Sequence, residues 1–449
     1  MHETNLDIDK SHKVKPENVI LALDIGTEFI KAVIAEKTDD DNLIIIGVGK
    51  EHQNMGNMYA GAIADIPAVV STCEKALSRA EEMAGVICKT CVVGIAGELI
   101  KGNTRTVRYR RKDGNKPISD QEMQSIIQKV QDKAGEQARQ EIALETDNPE
   151  VEVRLINSAI VSLTIDGYKV SNPIGFKGSD LMIQFYTAFA PLVHISAIEK
   201  VCAELNLDLL AVAVEPFAVC RACLGNELES NFSAIVIDIG GGTTDIAVVD
   251  DGGVEGTKMF GIGGRSFTHQ IASKTGLDYD TAEAVKLQLS GISLSKLTLK
   301  HSNETVADAE RKNEIQQILS TPERARKIKE AISDNIDVWL SGITVALEDF
   351  PLVEALPTKI LLCGGGAGLV ALQEVLATQD WYTDLPFSRR PLVHLLDDVD
   401  IPGITNTTPE DLDYSFITAF GLLRVAIDTL VGTEEPTGLR AKLAKLLQN

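Results

Sequence analysis

Two short stretches, one in each half of the chain, carry residue types suited to gripping a polyphosphate: Leu23-Asp24-Ile25-Gly26-Thr27 and Ile237-Asp238-Ile239-Gly240-Gly241-Gly242-Thr243-Thr244-Asp245. Each follows an apolar run (Val19 to Leu23, Ala234 to Ile237), and each leads into another (Ile30 to Ala35, Ile246 to Val249). That pattern predicts strand, tight turn, strand. The turns supply an acidic side chain, glycines that let backbone N–H groups approach an anion, and hydroxyls that bind it. Two such hairpins facing each other would hold a polyphosphate from both sides. Asp24 and Asp238 would then converge on its magnesium ion, which keeps most of its waters and takes few protein ligands.

A single Asp-x-Gly turn is common. A pair, joined by a third glycine turn at Leu361-Leu362-Cys363-Gly364-Gly365-Gly366-Ala367-Gly368, is a more specific pattern. No Lys-Ser or Lys-Thr follows these glycines, so the chain carries no P-loop here. Asp245 and Leu369 occupy the last positions where a Gly-x-Gly-x-x-Gly match would need glycine, which argues against a dinucleotide fold.

Further candidates lie between the hairpins and after them. Leu209 to Val214 reads as a strand running straight into a helix, with Glu215 at the junction before Pro216. A carboxylate inside so apolar a run is costly unless it has a role. At a helix start it would simply complement the dipole; between the hairpins it would position or deprotonate a water attacking the terminal phosphate. Glu283 and Lys286 are spaced for one helix face, where they would either cover a nucleotide's sugar or face water.

The elements that must position these groups fall into two lobes. Residues 19–98 read as three strands, the third from Leu43 to Val48, a helix from Ile66 to Ala84 and a strand beginning at Cys91. Residues 99–178 have a different texture: a basic strand from Thr104 to Lys112, then a helix from Ser119 to Ile142 opened by a capping box, Ser119-Asp120-Gln121-Glu122. Strands Glu152 to Ile156 and Ala159 to Ile165 follow, making a strand-helix-strand-strand unit inserted into the first lobe. Leu181 to Ala190 is expected back in the main sheet, and residues 179–231, with a helix from Ile195 to Leu205, complete that lobe. The second lobe, 232–262 and 358–431, repeats the plan around a charged, mostly helical segment at 263–357. Its final amphipathic helix, Pro409 to Val431, is a candidate to pack on the first lobe.

Composition narrows the function. A chain of 449 residues is too long for one core, so two lobes or more are expected. Its formal charge of -22, from 43 basic and 65 acidic residues, argues against nucleic-acid binding. The longest uncharged apolar stretch, Leu361 to Leu372, is glycine-rich and far short of a membrane span. Met1 to Asn18 is polar, without a signal-peptide core, and reads as a flexible start to a cytoplasmic protein. Cys88-Lys89-Thr90-Cys91 and Cys220-Arg221-Ala222-Cys223 have the spacing of zinc half-sites, but their apolar surroundings favour buried reduced thiols.

The carboxy terminus stands apart. Past a connector at 432–438, spanning at most about 25 Å when extended, Leu439, Leu443, Leu446 and Leu447 fall within about 100° of helical arc. Arg440 and Lys442 flank that stripe, and Lys445 lies beyond it. A basic, leucine-striped helix at 439–449 on an acidic chain fits an interfacial membrane anchor. The alternative is a short helix packing back on the body.

With these pieces placed, the chain resembles the actin, Hsp70 and sugar-kinase superfamily of ATP-binding folds, and within it the FtsA family of bacterial cell-division actin homologues. The matching residues are Leu23 to Thr27, Glu215-Pro216, Asp238 to Asp245, Gly263-Gly264, Ala282-Glu283 with Lys286, Gly364 to Gly366 and Phe420-Gly421-Leu422-Leu423. The similarity runs from Val19 to Val431. It implies an α/β, actin-like ATPase fold of two duplicated ribonuclease-H-like lobes, with the insertion as a strand-helix-strand-strand (SHS2) module.

The resemblance also implies site roles. Asp24 and Asp238 would hold Mg2+ through water, and Gly26, Thr27, Lys31, Gly241, Gly242 and Thr243 would contact the phosphates of ATP. Gly240, Thr244, Gly263 and Gly264 would share the nucleotide site, and Glu215 would position water. Glu283 and Lys286 would meet the ribose, and Gly364, Gly365 and Gly366 would lie against adenine and ribose. Hydrolysis would be slow at most, with ATP mainly an assembly ligand.

Implied partners are the chain itself in head-to-tail filaments through the inserted module, other division proteins, and the carboxy-terminal tail of the tubulin-like protein FtsZ, received by residues 263–357. Leu439, Arg440, Lys442, Leu443, Leu446 and Leu447 would anchor the assembly to the cytoplasmic membrane at the division site. This connector is shorter than is common in the family, and the tail lacks bulky aromatics. Two other readings share the motifs. A type IV pilus assembly platform has the same insertion and no tail helix, and a small-molecule kinase of the same fold would use Glu215 as its acceptor-hydroxyl base.

Overall fold

The computed structural model describes residues 14–224, 232–290, 306–350 and 354–434. The expected tail helix lies outside the described residues, as does the start of the chain up to residue 13. Val19–Ile25 (β1) and Phe29–Lys37 (β2) form an antiparallel hairpin in which Asp24 stands opposite Lys31. Leu43–His52 (β3) pairs with β2, placing Lys50 opposite Lys31. A two-residue ladder of Met58–Tyr59 (β4) and Ala62–Ile63 (β5) leads to the helix Ile66–Ala84 (α1). That helix starts on Asp65, whose carboxylate accepts from the Ala68 N–H at 3.0 Å, and it stops on Gly85 in the left-handed region. Thr90–Ile95 (β6) then runs parallel to β1.

The inserted module comprises Lys101–Arg110 (β7), Asp120–Thr146 (α2), Val153–Ile165 (β8), Tyr168–Lys169 (β9) and Asp180–Pro191 (β10). Three sequence expectations are corrected here. The two strands expected between Glu152 and Ile165 are one continuous strand, β8. Leu181 to Ala190 does not return to the first-lobe sheet: β10 lies between β7 and β8, because its alternating Leu181, Ile183 and Phe185 cover Met123, Ile126 and Ile127 of α2. Only half of the capping box forms. The Ser119 hydroxyl accepts from the Glu122 N–H at 3.2 Å, but the Glu122 carboxylate takes the Arg111 guanidinium at 2.8 Å instead of turning back.

Leu192–Glu204 (α3), Asp208–Val214 (β11) and Glu215–Leu224 (α4) complete the first half. The second half opens with Ala234–Ile239 (β12), Thr244–Asp250 (β13) and Gly253–Phe260 (β14). Gly264–Thr275 (α5), Tyr279–Leu289 (α6), Val306–Ser320 (α7) and Pro322–Glu348 (α8) make the helical segment. Lys359–Cys363 (β15), Val370–Thr378 (α9), Leu392–Leu395 (β16), Ile404–Asn406 (β17) and Ile417–Glu434 (α10) follow.

One sheet has the order β11-β6-β1-β2-β3-β17, the other β16-β15-β12-β13-β14-β7-β10-β8-β9. The runs β11-β6-β1-β2-β3 and β16-β15-β12-β13-β14 are the same plan used twice, a hairpin extended by a third antiparallel strand and flanked by parallel strands. The module's sheet is continuous with the second of these through Gly102 and Asn103 of β7, which pair with Thr257 and Gly256 of β14.

The expected final helix is corrected too. Asp413 accepts from the Ser415 N–H at 3.0 Å and opens a short 3-10 turn, so α10 begins at Ile417 rather than Pro409. It is buried on every side from 417 to 427, the polar Thr418 and Arg424 included, rather than presenting one face to water. It packs on β1, β6, β11 and α4, and β17 pairs with β3, so the end of the body sits on the first lobe. Among the described residues no helix is long and apolar enough to cross a membrane.

Candidate functional site

The two acidic hairpins open into one cavity. β1 and β12 end at its floor, bringing Asp24 and Asp238 there with exposures of 3% and 5%. Lys31 donates to the Asp24 carboxylate at 2.8 Å. Thr418, in the first turn of α10, donates to Asp238 at 2.5 Å. Glu215 begins α4 where β11 stops and lies against Gly94 of β6. Asp245 stands opposite Asp238 in the second hairpin; one of its carboxylate oxygens accepts from the Thr243 hydroxyl at 3.2 Å, and the other is buried without a partner.

This concentration of buried acids sets the electrostatics. Burial, then the charges of Asp24, Asp245 and Asp238, hold the Glu215 carboxyl well above the usual carboxylate range. Burial and Asp238 do the same to Asp245, and burial also raises Asp238. Burial works against the Lys31 ammonium, but Asp24, with Asp238 and Glu215 beyond it, carries it above the ordinary lysine value. At the cavity floor, among the described residues, the acids Asp24, Asp238, Asp245 and Glu215 therefore outnumber the one cation, Lys31, and one Asp245 oxygen has no partner. Hard oxygen donors in such a setting fit a magnesium ion. Among the described residues no group of three or more His, Cys, Asp or Glu side chains is arranged to hold a metal ion.

The turns meet across the cavity. A Cβ on Gly241 would come within 2.7 Å of the Glu28 Cβ, so only glycine allows the second-lobe turn to sit this close to the first. Gly364, at φ 82°, passes against Asp238, where a Cβ would fall 2.0 Å from the carboxylate. The first amides of α5 are committed to the second turn: the Gly264 N–H donates to the Gly240 carbonyl at 2.9 Å and the Arg265 N–H to the Gly241 carbonyl at 2.8 Å.

Most of the residues singled out in the sequence line this cavity: Asp24, Gly26, Thr27 and Lys31 from the first hairpin, Asp238, Gly240, Gly241 and Thr243 from the second, and Glu215 between them. Gly264, Glu283 and Lys286 line it from α5 and α6, and Gly364, Gly365 and Gly366 from the third turn. Glu283 and Lys286 pair with each other at 2.8 Å, and Lys286 also donates to the Gly264 carbonyl at 3.0 Å, so this pair faces the cavity rather than bulk water.

Gly242, Thr244 and Gly263 are not in the lining. Gly242 is pressed against Thr27, and Gly263 against the carbonyls of Gly240 and Gly241. Thr244 points into the core, where its hydroxyl donates to the Ile262 carbonyl at 2.6 Å and accepts from the Trp339 indole at 2.9 Å. The cysteines are free thiols; Cys91 and Cys202 approach to 3.8 Å between sulfurs, and the two Cys-x-x-Cys pairs do not assemble a metal site.

Sequence reading missed several groups. Arg265 of α5 reaches Glu28 in the first hairpin turn, and His52 of β3 approaches the other oxygen of Glu28 at 2.8 Å. Burial opposes ionisation of Glu28, but His52 and Arg265 hold its carboxyl below the usual range, and hydrogen bonding to Glu28 raises His52. Lys50, Asp413, Ser415 and Thr418 also line the cavity. The sequence carried one faint signal for these, the position of Arg265 directly after a glycine pair.

A family model described as MreB/Mbl protein matches residues 177–388. Cell division protein FtsA of Pseudomonas aeruginosa is 26% identical over 391 residues, covering 85% of this chain and 87% of the relative. Cell division protein FtsA of Streptococcus pneumoniae is 27% identical over 362 residues, covering 80% of this chain and 73% of the relative. Among solved structures, a chain of a PilM-PilN type IV pilus biogenesis complex superposes with a TM-score of 0.61 at 17% identity, covering 91% of this chain and 98% of that one. That likeness is one of fold alone, the α/β, actin-like architecture of two lobes built on one plan.

Proposed function

We propose, on the premise that the chain is an FtsA-like actin-family ATPase, that its cleft binds magnesium-ATP and that the protein works in cell division as a polymerising tether between FtsZ filaments and the cytoplasmic membrane. The observation that carries the nucleotide reading is the meeting of two acidic hairpin turns, Thr27 and Glu28 against Gly241 and Gly242, above Asp24 and Asp238. Asp24 and Asp238 would hold magnesium through its waters, and the ion would offset phosphate charge when bound. Gly26, Thr27, Gly241 and Thr243 offer backbone N–H groups, Thr27 a hydroxyl and Lys31 a cation to the phosphates, while Gly240 shapes the second turn, its N–H donating to the Thr243 carbonyl at 2.9 Å. Glu283 and Lys286 are the candidates for the ribose, and Gly364 to Gly366 for the base.

Glu215 is the candidate to position a water. Burial and the neighbouring Asp24, Asp245 and Asp238 hold its carboxyl well above the usual carboxylate range, and turnover is slow, with ATP acting mainly on assembly. The strand-helix-strand-strand order of β7, α2, β8 and β10 supports reading the insertion as an SHS2 module and a filament contact. The basic, leucine-striped tail supports tethering, and the FtsA relatives support a place at the division site among other division proteins.

Co-sedimentation with anionic vesicles in magnesium-ATP tests the tether, comparing the intact chain with one ending at Gly438, each with and without FtsZ. We expect only the intact chain to pellet and to carry FtsZ with it. Pelleting of both chains alike, or of neither, would sink the tail as an anchor. Failure of the intact chain to bind ATP would separately remove the nucleotide reading.

A further inference from the structure

Lys31 and Lys50 stand directly opposite each other on β2 and β3, so their side chains leave the sheet on the same face. Both line the cavity, and both approach the ring of Phe416, at 5.9 Å and 5.7 Å from its centre. Their surroundings then diverge. Lys31 is ion-paired with Asp24 at 2.8 Å. Lys50 is 8% exposed and makes no ion pair or side-chain hydrogen bond among the described residues; its ammonium lies 4.5 Å from the centre of the Phe29 ring.

Like charges facing each other across a strand pair destabilise it, and aromatic faces replace only part of a lysine's hydration. A lysine with no task here would extend its flexible stem toward solvent. A second group nearby is unsatisfied as well. Ser415, the residue before Phe416, is 6% exposed and lines the same cavity, and its hydroxyl is buried without a hydrogen-bond partner. A cation with three donors and a free hydroxyl on the first-lobe wall match an oxyanion.

We propose that Lys50 and Ser415 form an anion-binding position on the first-lobe wall of the cleft that takes a phosphate dianion. This deepens the nucleotide reading of the cleft and rests on it. The phosphate has two sources of one chemistry: the terminal phosphate of bound ATP, or free inorganic phosphate held beside ADP after hydrolysis. Burial and the neighbouring Lys31 charge push the Lys50 ammonium down to about 8, against the pull of Asp413 and Asp24, and a phosphate dianion would reverse that. The position is separate from the Lys31–Asp24 pair, because Lys31 already has its counter-charge.

The test uses the full chain and its Lys50→Gln and Ser415→Ala variants, titrated with inorganic phosphate alone, phosphate with magnesium-ADP, ADP and ATP. Lys50→Gln is expected to lose about tenfold or more in affinity for phosphate, for ATP, or for both, with ADP affinity unchanged. A loss confined to ATP identifies the terminal phosphate as the ligand, and a loss confined to inorganic phosphate identifies the free ion. Unchanged affinity for both overturns the proposal, as does an equal loss for ADP and ATP. If Lys50→Gln does not fold, Ser415→Ala decides, with an expected loss of about threefold under the same criteria. Phosphate binding in the absence of nucleotide separates this site from the nucleotide reading, since it remains measurable if ATP does not bind.

Discussion

Arg265 and Glu28 close the cleft from opposite lobes: the guanidinium Nε lies 2.5 Å from the Glu28 carboxylate, and Nη2 donates to the Thr27 carbonyl at 2.7 Å. Arg265 opens α5 directly after the second hairpin's contacts, whereas Glu28 sits in the turn of the first. The bridge therefore ties together the two glycine turns that line the cleft. Arg265→Ala would leave Glu28, 18% exposed, with only His52. The expected cost is about 1–3 kcal/mol in thermal or denaturant unfolding, together with weaker ATP binding. Unaltered melting and ATP affinity would show that the bridge does not govern the cleft.

The acids on the cavity floor should separate binding from turnover. Asp24→Asn and Asp238→Asn are expected to weaken magnesium-dependent ATP binding by about tenfold or more. Glu215→Gln should retain ATP binding and lose about a hundredfold of whatever hydrolysis the intact chain shows. Calorimetric titration and a phosphate-release assay distinguish these results; identical behaviour of all three variants would refute the assignment.

Trp339 ties the second hairpin to α8. It is fully buried, and its indole donates to the Thr244 hydroxyl at 2.9 Å. Trp339→Ala should destabilise by about 3–5 kcal/mol through the cavity it leaves. Trp339→Phe keeps most of the apolar contact and loses the hydrogen bond, so a cost of about 1–2 kcal/mol is expected. Equal midpoints for the two variants in denaturant would contradict that division between packing and polar contact.

Glu255 on β14 gives the clearest pH dependence. Burial, then the charge of Asp250, push its carboxyl up to about 7, and one of its oxygens is buried without a partner. Its pKa is higher folded than unfolded, so its contribution to stability is fully present below the ordinary glutamate value. That contribution fades as pH rises through 7. Glu255→Gln should match the intact chain at pH 5 and exceed it at pH 8, by about 1–2 kcal/mol after allowance for solvent screening. Parallel stability curves across that range would show that the carboxyl is not held neutral.

The site was legible in the sequence where its chemistry is local. An apolar run, an acid and glycines specify a strand, its end and a turn within about ten residues. That is why Asp24, Asp238 and the Gly364 turn could be read directly, and why Glu215 stood out at a strand-to-helix junction. The duplicated plan followed from seeing the same local signal twice.

What the sequence by itself determined, then, was the set of turns and the order of most elements. Only the tertiary structure decided which strands pair and which faces meet. Alternation marks Leu181 to Ala190 as a strand but not its partners, and its burial against α2 places it between β7 and β8. The same limit hid Arg265 against Glu28, Lys50 opposite Lys31, and the Thr244 hydroxyl turned toward Trp339. Each of these depends on chain segments far apart in sequence, brought together by sheet register and shared burial, which no local pattern encodes.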